Sequence, residues 1–385
     1  MNASFTPRRL SAPARLAVLC QGAVLCLGLA ACGSTAEKHT PAPLAPARTA
    51  IATTQAWSAQ VGESTDSMQS LLAGGHLFVA TSSGTVAAIN PDTGRDLWRF
   101  QLGKPLDAGI GADGQTAAVI TRENELLTVV DGKERWRIRL PARSFTAPLV
   151  AGGRVFVLLA DRSVSAFDGA TGARLWTQTR PGEPLVLEQG GVLLAVGDTL
   201  VAGLSSRLTG LDPLNGRVRW SAPVANSRGT NEVERLNDLV GTVSRLGNSV
   251  CTRAFSAAVA CVDADNGAVV WSKPAQGATG VGGDDRLVFG TESDGKVQAW
   301  QRADGAAAWT VDRLKFRQLS APLAVGRVVF VGDSEGWVHV LSREDGSDMA
   351  RLATDGSGIV GAPIVAGQVL VVQTRKGGLF AWKPQ

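Results

Sequence analysis

The chain has 385 residues, 44% of them hydrophobic and 19% charged, which supplies a large core and excludes global disorder. Its formal charge is +4, but Arg8, Arg9 and Arg15 lie in a segment read below as removable, and 38 Lys+Arg less these three leaves 35 against 34 Asp+Glu. A near-neutral body without a basic cluster excludes phosphate backbones as the expected partner, so no nucleic acid is predicted.

Residues 16–31 are apolar apart from Gln21 and glycines. As a helix they would rise about 24 Å, short of the roughly 30 Å hydrocarbon core. A basic start, a short apolar run and small residues at its end predict a secretory signal over 1–31. The run ends Leu29-Ala30-Ala31-Cys32-Gly33, which resembles a bacterial lipoprotein signal and implies Cys32 as the lipidated first residue. Gly33, where Asp would favour inner-membrane retention, implies the outer membrane. Residues 32–53 are rich in Pro, Ala and Thr without apolar periodicity and are expected to be a flexible tether. Cys20 and Cys26 would leave with the signal, so Cys251 and Cys261 remain in a compartment where disulfides persist.

From there the chain repeats one unit. A Gly followed four residues later by Trp recurs at Gly94/Trp98, Gly132/Trp136, Gly172/Trp176, Gly216/Trp220, Gly267/Trp271 and Gly305/Trp309; Gly346 starts a seventh copy with Ala350 in place of Trp. Polar turns precede most of these glycines, and two short apolar stretches precede each turn, as in 77–90, 154–168, 286–300, 327–341 and 368–382. This is the chemistry of antiparallel hairpins. A period near 40 with four strands per unit predicts propeller blades. Eight hairpins share only seven outer strands, and the missing strand is available at 55–61. The expected fold is therefore all-β: an eight-bladed propeller over 54–385, its last blade closed by the N-terminal strand. The repeated Trp residues, with Trp300 and Trp382, are expected in the core.

Catalytic patterns find no suitable setting. His39, His76 and His339 are separate in the chain, and no metal site or triad is predicted. Gly332-Asp333-Ser334-Glu335-Gly336 fits a nucleophile elbow in letters, but it joins strand to strand where that motif needs a helix. Gly280-Val281-Gly282-Gly283 lacks the setting of a phosphate loop. Cys251 and Cys261 flank the fifth hairpin. A three-residue turn at 255–257 would set them opposite each other within disulfide reach, while a two-residue turn would set Cys251 against Val262.

Two resemblances follow. The blade repeat resembles quinoprotein dehydrogenases, which carry pyrroloquinoline quinone; those chains are longer and have adjacent cysteines and Ca²⁺ ligands that this one lacks, so no cofactor is expected. The lipoprotein signal, the tether, the eight-blade ring, Gly332-Asp333-Ser334-Glu335-Gly336-Trp337 and Glu232-x-Glu234-Arg235-Leu236-x-Asp238 together resemble the BamB family of the outer-membrane β-barrel assembly machinery. That resemblance implies a non-enzymatic accessory lipoprotein on the periplasmic face of the outer membrane. Its partners would be the POTRA domains of BamA, the rest of the complex and unfolded outer-membrane proteins.

The contact is expected on one face. The long connections 180–191 and 225–240 both run from an outer strand to the next inner one and emerge beside the middle hairpin turns. The first carries Leu185-Val186-Leu187, apolar groups whose exposure would mark contact, unless they tuck under the loop. The second carries Glu232, Glu234, Arg235 and Asp238. Leu185, Leu187 and Asp238 match the family's partner-binding pattern, whereas Glu188 stands where it often has Arg and Val240 where a second Asp can occur.

Overall fold

An Asx residue four positions before Gly94, Gly172, Gly216 and Gly267 organises the turn that leads into the outer strand. Asp168 accepts the amides of Ala170 and Thr171 at 3.1 and 2.8 Å, and Asn90 accepts those of Asp92 and Thr93 at 3.0 and 3.1 Å. The glycine that follows is left-handed, with φ between +70° and +76° from Gly94 to Gly346. Its missing side chain has a second use. A Cβ on Gly172 would meet the Trp136 ring at 2.8 Å, and one on Gly216 would meet Trp176 at 2.6 Å. Each glycine thus receives the tryptophan of the preceding blade.

The computed structural model describes residues 1, 39–46, 50–179, 185–226 and 236–384. Contacts divide the chain into residues 1–40 and a second unit, 41–385, which contains every strand among the described residues. That unit holds eight four-stranded antiparallel sheets. Seven are built from consecutive strands, spanning 71–101, 111–139, 149–178, 193–223, 239–274, 281–311 and 323–353; we number these blades 1 to 7. Blade 8 takes three strands from 359–384 and its outer strand from Thr53–Gln60, paired from Thr53↔Pro384 to Gln60↔Gly378. The eight-bladed, N-terminally closed propeller is the observed fold, its closing strand beginning two residues earlier than expected.

Every outer strand carries a one-residue bulge. In blade 3 Ala166 pairs with Trp176 and Phe167 with Arg174, leaving Leu175 unpaired; Leu97 and Val270 occupy the same place in blades 1 and 5. Those three side chains are exposed, because the bulge turns them out as it turns the next residue, Trp, toward the neighbouring blade. The indole N–H then donates across the gap. Trp57 bonds Pro91 O at 2.7 Å, Trp136 Gly169 O at 3.0 Å, Trp176 Pro213 O at 3.0 Å, Trp220 Ala264 O at 2.9 Å, Trp271 Arg302 O at 2.8 Å and Trp309 Arg343 O at 2.8 Å. Each acceptor lies three residues before a repeat glycine. Thr53–Gln60 has the same bulge, at Ala56, and the same tryptophan, so it is a full outer strand.

The two departures have structural reasons. In blade 2 the third and outer strands are joined by a two-residue turn, Asp131-Gly132, with φ of +50° and +73°, which offers no turn carbonyl at the acceptor position; Trp98 makes no indole hydrogen bond among the described residues. Ala350 replaces Trp in blade 7 because the third and outer strands of blade 8 come from opposite ends of the chain, so no turn joins them. The residues expected as tether act there instead. Ala50 donates to Met349 O at 2.7 Å, and Ile51, like Met349 and Ala350, packs against the cluster between blades 7 and 8. Further back, Ala42 donates to Lys315 O at 2.9 Å and accepts from Arg317 at 2.8 Å, Leu44 joins the cluster of blades 6 and 7, and Arg351 donates to Ala45 O. Residues 41–46 and 50–51 are therefore laid along the ring, which corrects the flexible reading for that part of 32–53. Cys32, like Cys20 and Cys26, lies outside the described residues.

The core is a series of interblade clusters, and Trp300 and Trp382 lie within them. Cys251 and Cys261 face each other across the fifth hairpin, whose turn is Phe255-Ser256-Ala257, and are joined by a disulfide.

Candidate partner-docking site

Four features reach the face that bears the middle hairpin turns near blades 3 and 4: the blade 3 turn around Arg162, the 140–148 connection, and the two long connections. Leu185 is 38% exposed there. Val186 and Leu187 are half-buried and, with Phe145, Leu158 and Leu239, line a small hollow under the loop. The apolar trio therefore divides: Leu185 faces solvent and its two neighbours tuck in.

Asp238 is held within the chain. One carboxylate oxygen accepts Arg162 Nη1 at 2.7 Å and the other accepts the Leu187 amide at 3.0 Å. Arg162 Nη2 donates to Leu185 O at 2.8 Å. The side chains of Arg162 and Asp238 are only 9% and 15% exposed. Glu188 pairs with Arg143 at 3.1 Å, and Arg143 also bonds Asp107 at 2.9 Å and lies 4.5 Å over the Phe145 ring. Asp107 in turn pairs with Arg122. With Arg143 and Glu188 42% and 69% exposed, their ion pair contributes little, whereas the Arg162–Asp238 pair is shielded from water and carries hydrogen bonds to backbone. Val240 is buried on the inner strand of blade 5. Glu232, Glu234 and Arg235 lie outside the described residues.

Sequence reasoning missed Arg162, although a signal was present. The same turn position is Gly84, Asn124, Gly295, Gly336 and Gly377 in blades 1, 2, 6, 7 and 8, all with positive φ. An arginine there, at φ +64°, departs from the residue types that tolerate this backbone.

The other singled-out motif is structural. Gly332-Asp333-Ser334-Glu335-Gly336 is the tight turn between Val328–Gly332 and Trp337–Ser342. Asp333 and His339 are buried and bonded at 2.9 Å, Asp333 accepts Arg317 Nε at 2.7 Å, and its other oxygen accepts the amides of Glu335 and Trp337. Burial pushes the Asp333 carboxyl up, but the bonds from His339, the Trp337 amide and Arg317 outweigh it and hold the group below its usual range. Val281–Gly283 of the glycine-rich stretch is an inner strand of blade 6.

A closed ring with connections gathered on one face defines a β-propeller scaffold. The family described as outer membrane protein assembly factor BamB matches residues 82–311. A relative of that name from Burkholderia pseudomallei (strain K96243) is 37% identical over 360 residues, 92% of this chain and 94% of its own. One from Bordetella pertussis is 33% identical, over 89% of this chain and 90% of the relative. The chain belongs to the BamB family of outer membrane protein assembly factors. The crystal structure of BamB from Moraxella catarrhalis superposes with a TM-score of 0.78 at 24% identity, over 86% of this chain and 100% of that one. The quinohemoprotein alcohol dehydrogenase from Comamonas testosteroni gives 0.67 at 14%, over 86% and 76%, a likeness of fold alone.

Proposed function

We propose that this protein is a lipid-anchored, non-enzymatic scaffold of the outer-membrane β-barrel assembly complex, docking the POTRA domains of BamA through the Leu185 face and assisting insertion of outer-membrane proteins. Cys32 would carry the lipid and hold the ring at the periplasmic side of the outer membrane. The observation that carries the docking reading is an apolar side chain, Leu185, held out on a loop whose backbone is tied down on both sides of Val186. An anchor presented on rigid backbone loses little freedom on association.

The test is capture of BamA from solubilised outer membrane by the full chain and by a variant with Leu185→Asp. A carboxylate placed in a desolvated contact should lower affinity by roughly 2–5 kcal/mol. A folded Leu185→Asp variant that captures BamA like the parent would move the contact elsewhere on the ring. Incubating the protein with Ca²⁺ and the quinone tests the enzymatic alternative, for which a bound chromophore would be the mark.

A further inference from the structure

We infer that Arg162 and Asp238 form a latch that presents the Leu185–Leu187 segment, and that Asp238 serves docking through position and not through contact with the partner. The inference rests on the reading of the Leu185 face as the docking surface. Three segments distant in the chain meet at this pair: the hairpin turn of blade 3, the connection from blade 3 to blade 4, and the connection from blade 4 to blade 5. Arg162 spends one guanidinium nitrogen on Asp238 and another on the Leu185 carbonyl, while Asp238 spends its second oxygen on the Leu187 amide. The carbonyl and the amide flank Val186, so the two side chains grip the backbone as a neighbouring strand would. Asp238, 15% exposed with both oxygens already engaged, is poorly placed to meet a cation across an interface.

The backbone at Arg162 supports the same role. Glycine or asparagine fills this left-handed position in five other blades, and a longer side chain there adds strain. Here the strain is offset by what the side chain holds. Lysine would keep the charge but has no planar fork to reach the Leu185 carbonyl and the carboxylate together. Arg162 and Asp238 are accordingly positioning residues, and Leu185 is the group offered to the partner.

A double-mutant cycle on the full chain, with affinity for purified BamA as the readout, separates position from contact. Arg162→Ala and Asp238→Ala should each weaken binding roughly 10- to 100-fold. The double variant should be no weaker than the worse single to within about threefold, because either change opens the same latch. Arg162→Lys should fall between parent and Arg162→Ala. Hydrogen exchange reads the latch without the partner, and the Leu187 amide should lose protection in both single variants. Should an alanine variant fail to fold, Asp238→Asn and Arg162→Lys run the same cycle. A further loss of tenfold or more when Asp238→Ala is added to Arg162→Ala would show direct contact and overturn the latch, as would unchanged protection at Leu187. If the Leu185→Asp variant binds BamA normally while Leu187 exchange responds as stated in the latch variants, the docking reading fails and the latch stands as a purely structural device.

Discussion

Trp57 offers the sharpest test of how the ring is closed. Its side chain is almost buried, its indole N–H donates to Pro91 O at 2.7 Å, and Gly94 of blade 1 packs on its ring. Trp57→Ala removes the largest contact between the N-terminal strand and blade 1, about 3–5 kcal/mol for a buried tryptophan. It also strips a buried carbonyl of its donor, about 1–3 kcal/mol more. Taking about 5 kcal/mol and an unfolding entropy of about 2.1 cal/mol/K per residue over a ring of about 330 residues, Tm should fall by roughly 7 °C. Trp57→Phe keeps most of the packing and loses only the hydrogen bond, about 1–2 kcal/mol or roughly 2 °C. The matched control is Trp98→Phe. Trp98 occupies the equivalent place but faces the two-residue Asp131-Gly132 turn and has no acceptor, so the same change should shift Tm by less than about 1 °C. Equal shifts for Trp57→Phe and Trp98→Phe in thermal unfolding followed by near-ultraviolet circular dichroism would refute the view that these indoles staple adjacent blades.

Replacing Cys251 and Cys261 together by Ala opens a bridge with a sequence separation of 10 and should cost about 3 kcal/mol by loop entropy, seen as a Tm lower by roughly 4 °C; an unchanged Tm would mean that the bridge adds nothing. The depressed Asp333 carboxyl contributes stability that is complete above its unfolded value near pH 4 and lost as pH falls through the lower folded value. Denaturant titrations should show Asp333→Asn less stable than the parent at pH 7 and the gap closing below about pH 4; a gap that persists in acid would rule that origin out. Leu44→Asp should release residues 41–46, raising protease cleavage there while Tm moves by less than about 2 °C, and unchanged cleavage would mean that other contacts hold the segment. Cys32→Ala should shift the protein from the outer-membrane fraction to the periplasm or to an uncleaved form, and normal fractionation would remove the lipid anchor from the proposal.

The number of blades, their four strands and the seam at the N-terminus were legible in the chain because each depends on a pattern completed within about 40 residues: a polar turn, a left-handed glycine, a tryptophan four positions on. Counting hairpins against outer strands was enough to assign Thr53–Gln60 to blade 8. The purpose of the pattern was not legible. Nothing local shows that Gly94 is small because Trp57 lies on it, or that Ala350 stands where no turn exists to receive an indole. The candidate site divided in the same way. Leu185 and Asp238 could be singled out as residues on adjacent loops, but the partner that ties them together, Arg162, is 76 positions from Asp238. Its role appears only when the ring curves three segments onto one spot. Periodicity repeats along the chain and can be read from it; a three-way hydrogen-bonded junction between non-repeating connections exists only after tertiary packing has set the distances.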